Sequence, residues 1–118
     1  VVTPSSKPPP QIRVNRGDIW LATLDPTVGS EIQKSRPCVI ISPPEMHNHP
    51  RIVMAAPMTT GSRPAPWRIA IKFNGKDGLI LLDQIRTLDK QRLMRRLGAV
   101  DEHTFDIVLN RLQEIFTK

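Results

Sequence analysis

The chain has 118 residues, 39% of them apolar, which suffices for one modest core and is too little for two independent domains. Lysine and arginine outnumber aspartate and glutamate by 17 to 11, and the resulting charge of +6 suits a polyanionic partner, because binding phosphates releases their condensed counterions. The single cysteine, Cys38, excludes an intrachain disulfide and a thiolate metal cluster, and no apolar run nears the ~20 residues of a helical membrane span. With no basic-then-apolar leader pattern either, the expected setting is the reducing cytoplasm.

Residues 1–11, VVTPSSKPPPQ, are rich in proline and serine and have little to bury, which predicts a flexible tail over 1–15 ahead of one domain over 16–118. GDIWLATL (17–24) alternates Ile19 and Leu21 against Trp20 and Ala22, the period of a strand. Asp25, Pro26 and Gly29 break that period, and the polar run to Ser35 reads as a loop. PCVIIS (37–42) predicts a strand buried on both faces, with Cys38 a structural thiol, since apolar surroundings raise a thiol's pKa. The loop PPEMHNHP leads to a strand in RIVMAAPM (51–58), after which Gly61, Pro64 and Pro66 signal turns.

WRIAIKF (67–73) alternates cleanly, Asn74-Gly75 suits a hairpin turn, and GLILLDQI (78–85) predicts the return strand. Asp89 is placed to cap a short helix through Leu93, with Gly98 interrupting any longer one. After Asp101, the residues Phe105, Val108, Leu109, Leu112, Ile115 and Phe116 recur at steps of three and four, which predicts an amphipathic helix lying on the sheet. Five short strands, tight loops and a terminal helix give a mainly β (α+β) fold, a small barrel or curled sheet.

His47 and His49 stand two apart in a loop with no acidic or thiolate companions, so they read as solvated rather than metal-binding, and His103 reads as exposed. Neither a glycine-rich phosphate loop nor a G-x-S-x-G elbow is present. Trp20 and Trp67 read as core or interface residues, since five aromatics in all do not make a stacking platform. Lys90, Arg92, Arg95 and Arg96, with Arg86 upstream, form either a solvated face or a rim for phosphates or an acidic protein tail.

Four segments in order, GDIW-x4-DP-x2-GSE, RPCVIIS, AAPMTT and LLDQIRTLDK, carry a resemblance that runs from about Arg16 to the C-terminus. In them the chain resembles the MazF/PemK (Kid) family of toxin ribonucleases. The resemblance implies a barrel like that of SH3 domains, a homodimer with single-stranded RNA in grooves at its interface, no cofactor or metal, and inhibition by an acidic, partly disordered antitoxin. It implies catalytic roles for Arg36 and Thr59, the arginine of the R-P motif and the first threonine of the T-T pair, and RNA-binding roles for Glu31, Gln33, Lys34, Thr60, Asp83, Gln84 and Arg86. Ile32 follows Glu31 where relatives commonly have glutamine; Ser30 and Leu81 stand where the PemK branch has histidine and arginine, a pattern leaning toward the MazF branch.

Metal-free RNA cleavage requires a 2′-hydroxyl to attack the adjacent phosphorus while the pentacoordinate charge is stabilised and the 5′-oxygen departs. A guanidinium such as that of Arg36 suits the charge-stabilising task, because it stays protonated and presents a fork to phosphate oxygens; Thr59 can donate a hydrogen bond to the same group. The residues alone leave the general base open among Glu31, a water and an arginine. Two other functions fit the same pattern less fully: a CcdB-like gyrase poison, which requires no Arg36 and Thr59 pair, and an RNA-binding barrel without catalysis.

Overall fold

The structure, a computed structural model, describes residues 13–24, 34–47 and 51–118. Residues 1–12 of the tail expected over 1–15, most of the expected loop with Ser30, Glu31, Ile32 and Gln33, and His49 lie outside those residues. Val14 and Asn15 of the expected tail are instead held against the fold, Val14 buried in the core and Asn15 N–H on Asp18.

Among the described residues seven strands, not five, form one antiparallel sheet: β1 (Asp18–Thr23), β2 (Ser35–Ile40), β3 (Ile52–Thr59), β4 (Arg68–Phe73), β5 (Lys76–Leu81), β6 (Arg86–Asp89) and β7 (Leu93–Ala99). A short helix α1 (Pro44–His47) leads into β3, and α2 (Glu102–Ile115) ends the fold. The hydrogen-bonded order is β4-β5-β3-β2-β1-β7, with β6 also on β3, and the sheet curls into a half-barrel. The β4–β5 hairpin turns at Asn74 and Gly75 as expected, and both have positive φ, which suits the primed turn that matches strand twist.

The central strand is β3. Its Ala55 pairs with Ile40 on one side and Arg86 on the other, while Met58 and Thr59 pair with Ile80 and Leu79. β5 and β6 therefore share one edge of β3, and the excess chain between them, opposite Ala56 and Pro57, is looped out as a 3-10 turn, Leu82–Gln84. The strand expected over 78–85 stops at Leu81 for this reason.

β6 and β7 escaped the sequence reading because their alternation is faulty. β6 contributes one buried residue, Leu88, opposite Val53. In β7 the partners jump from Gly98 to Arg96 and from Arg95 to Leu93 against successive residues of β1, so Leu97 and Met94 are bulged residues that break the period of two. Asp89 does cap, its carboxylate accepting from Gln91 N–H at 2.8 Å, but the product is only the 3-10 turn Lys90–Arg92. Gly98 lies inside β7 rather than ending a helix, where a β-carbon would come 3.3 Å from the Phe73 ring.

Both faces of the sheet are apolar. One carries Trp20, Ala22, Cys38, Ile40, Val53, Ala55, Leu88 and Leu93, joined by Val14 from before β1; the other carries Ile19, Val39, Ala56, Met58, Ile69 and Ile80 beneath Val108 of α2. Phe105 and Leu112 pack around Val108, whereas Ile115 and Phe116 are exposed, the latter by 74%, so the expected apolar row outreaches the patch beneath it. Asp101 caps α2, accepting from Thr104 N–H at 3.2 Å. Those bonds hold its carboxyl below the usual range, so the cap is intact above the ordinary carboxylate pKa and is lost as pH falls through the lowered one.

Among the described residues one acidic side chain is buried with the first face. Asp18 receives Asn15 N–H at 2.9 Å and Trp20 Nε1–H at 3.3 Å on one carboxylate oxygen, and Arg96 Nε–H at 3.1 Å on the other. A buried carboxylate is tolerated only when paired in this way.

Candidate functional site

The β2–β3 ladder runs Ile40↔Ala55, Val39↔Ala56, Cys38↔Pro57. Two residues beyond that last pair, at equal steps along each strand, stand Arg36 and Thr59. Residues paired across an antiparallel ladder share a face and alternate residues along a strand return to it, so Arg36, Cys38, Pro57 and Thr59 belong to one face. Arg86, paired with Ala55, belongs to it as well, and its charge acts on the Cys38 thiol. Arg36 and Thr59 thus stand at one end of this face, and Arg86 lies on the same face opposite Ala55, four residues back along β3 from Thr59.

The surroundings are ordered by small contacts. Arg36 lies beside the buried Ala22 of β1, and the neighbouring Thr23 and Ser35 hydroxyls both donate to the Met94 sulfur, at 3.4 and 3.6 Å. Thr59 Oγ1 accepts Gly61 N–H at 3.2 Å, which orients the side chain and leaves its hydroxyl proton for another acceptor. A β-carbon on Gly78 would stand 3.1 Å from the Thr59 carbonyl oxygen, so glycine lets β5 approach the end of β3. Thr60 follows, exposed. Lys34 adopts a positive φ just before β2, and its carbonyl accepts Leu24 N–H at 2.9 Å.

Burial pushes the Cys38 thiol up to about 12 against the opposing pull of Arg86, in keeping with the expected structural role. Native protein at pH 8 should therefore resist a disulfide reagent such as dithionitrobenzoate and react stoichiometrically once unfolded; rapid labelling of the folded chain would contradict this. The unfolded thiol loses its proton near 9 and the folded one near 12, so stability should fall as pH rises across that interval.

Asp83 and Gln84 lie in the Leu82–Gln84 turn against β3. Both Asp83 oxygens are held by Arg68 of β4, Nε at 3.4 Å and Nη2 at 3.1 Å, while Arg68 Nη1 donates to the Arg63 carbonyl at 3.0 Å. Sequence reasoning passed over Arg68. A signal existed: counting back from the Asn74-Gly75 turn puts Arg68 opposite Leu81, within reach of Asp83.

The basic cluster divides. Arg96 serves Asp18 and Arg92 Nη1 donates to the Thr23 carbonyl at 3.1 Å, whereas Arg95 is an exposed residue of β7. His103 is exposed, Trp20 buried, and Trp67 44% exposed. Among the described residues no three His, Cys, Asp or Glu side chains gather into a metal-binding group. No helix among them is long and apolar enough to cross a membrane.

Residues 15–116 match the family model described as the PemK-like, MazF-like toxin of type II toxin-antitoxin systems. The chain is 37% identical to the Endoribonuclease PemK of Escherichia coli over 110 residues, covering 88% of this chain and 83% of that protein. It is 39% identical to the Endoribonuclease MazF of Staphylococcus epidermidis over 105 residues, covering 84% and 88%. These identities do not separate the two branches. Among solved structures, an endoribonuclease in complex with its cognate antitoxin from a mycobacterial species superimposes with a TM-score of 0.72 at 25% identity, covering 86% of this chain and 93% of that one.

Proposed function

The chain belongs to the PemK-like, MazF-like toxin family of type II toxin-antitoxin systems, and from that premise we propose that it is a cytoplasmic endoribonuclease that cuts single-stranded mRNA without a metal ion. The observation that carries this reading is the placement of Arg36 and Thr59 at equal steps past the last β2–β3 pair, on one face with Arg86. Arg36 neutralises the charge that builds on the phosphate as it becomes pentacoordinate, the point at which a preorganised cation does most for the rate. Thr59, its oxygen already occupied by Gly61 N–H, donates its proton to a phosphate oxygen. The 2′-oxygen forms its bond to phosphorus, its proton passes to a base, and the bond to the 5′-oxygen breaks with that oxygen taking up a proton. The products are a 2′,3′-cyclic phosphate and a 5′-hydroxyl.

Lys34, Thr60, Gln84 and Arg86 line the RNA path together with Glu31 and Gln33, and an isologous homodimer completes the groove. An acidic, partly disordered antitoxin occupies the same groove and excludes RNA, drawn by the net charge of +6. A labelled single-stranded RNA incubated with the protein in EDTA, followed by end-group analysis, tests the chemistry. Cleavage to cyclic-phosphate and 5′-hydroxyl ends is the expected result; 5′-phosphate ends, or cleavage abolished by EDTA, would overturn the mechanism.

A further inference from the structure

Asp83 stands beside the proposed RNA path, yet both of its oxygens are already held. Arg68 grips them with two nitrogens and spends a third on the Arg63 carbonyl, and the side chains of the pair are only 22% and 32% exposed. A carboxylate bound in this forked manner has both oxygens committed to one guanidinium, which leaves little of its hydrogen-bonding capacity to offer a base edge. The turn that carries it is the segment looped out between β5 and β6, tied to β4 by Leu82 N–H donating to the Trp67 carbonyl at 3.0 Å and by this side-chain fork. Directly after it come Gln84 and then Arg86, which returns to β3 opposite Ala55 on the face of Arg36 and Thr59.

We propose that Arg68 and Asp83 form a positioning clamp for the RNA path: Asp83 acts through Arg68, fixing the 82–84 turn so that Gln84 and Arg86 meet the RNA, and touches no RNA itself. The clamp rests on the functional reading above and deepens it. It also fits the departure at Leu81, because the guanidinium that serves Asp83 comes from Arg68, the residue paired with Leu81 across the β4–β5 ladder.

The test uses the whole chain with a cleavable single-stranded RNA and with the same oligonucleotide carrying 2′-deoxy sugars, whose binding is read by fluorescence anisotropy. Arg68→Ala and Asp83→Ala should each weaken binding and raise KM by about tenfold while kcat changes much less, as expected when contacts are misplaced rather than chemistry removed. Arg68→Lys should recover little, because an ammonium cannot reproduce the fork. The exchanged pair, Arg68→Asp with Asp83→Arg, should restore most of the affinity. An exchanged pair as weak as Asp83→Ala would overturn the clamp in favour of direct contact by Asp83, and single variants that bind and cut like the wild type would overturn it outright. Failure of the functional reading looks different: the unaltered chain would bind the deoxy oligonucleotide and leave the RNA uncut, with the clamp still read from the binding series.

Discussion

Arg36→Ala should lower the rate of RNA cleavage by roughly a hundredfold or more, with folding and dimerisation intact. A cation held before the reaction begins interacts with the pentacoordinate phosphate more strongly than with the ground state, so its loss falls on kcat rather than on KM. Arg36 is half-buried at the end of β2, beyond the buried Cys38, Val39 and Ile40 that anchor the strand, so truncation leaves the core untouched. Thr59→Ala should impair cutting less, since it removes one neutral donor. The measurement is single-turnover cleavage of a defined RNA oligonucleotide by each variant, with circular dichroism to confirm folding. A folded Arg36→Ala protein of full activity would remove Arg36 from the chemistry and leave the fold without its proposed mechanism.

The second large effect is on stability. Asp18→Ala removes a carboxylate only 3% exposed that receives the Asn15 amide, the Trp20 indole and the Arg96 guanidinium. The partners differ in what they lose. Arg96 is 51% exposed and can turn to water, whereas the Trp20 indole belongs to a buried residue and is left without its acceptor. One stranded buried donor costs about 1–3 kcal/mol, and the lost charged hydrogen bonds bring the expected destabilisation to about 3 kcal/mol. For a chain of this size that corresponds to a melting temperature lower by about 10 °C. Thermal and urea unfolding of Asp18→Ala beside Arg96→Ala would check it, and a change below about 0.5 kcal/mol in the first would show that water replaces the carboxylate.

The legible parts of the fold were those with intact patterns. β1 and β4 alternate, β2, β3 and β5 are short apolar runs bounded by turn residues, and the Asn74-Gly75 turn is written in residue types that tolerate positive φ. β7 was illegible because its two bulges shift the apolar residues off the period of two, and consecutive Arg95 and Arg96 mimic a solvated run. The site was legible in its members and not in its connections. Arg36 and Thr59 are named by motifs, but their position on one face follows from the β2–β3 register, and the Arg68 grip on Asp83 requires the hairpin register. Asp18 gave no warning of its burial, since an acid at the start of a strand usually faces water.

The place of β7 beside β1 has a kinetic consequence. The pair Asp18↔Ala99 joins the first strand to the last, and the buried Asp18 waits for Arg96 to arrive with that same strand. The β4–β5 hairpin and α2 rest on local contacts and form on the microsecond scale, whereas a ladder between chain ends must first meet the entropy of closing nearly the whole domain into a loop. Until that loop closes, β1 is held by β2 alone, with its other edge bare and Asp18 without the Arg96 guanidinium. During synthesis the β1–β7 ladder, and with it the completed edge of the strand beside Arg36, is therefore among the last parts of the fold to take shape.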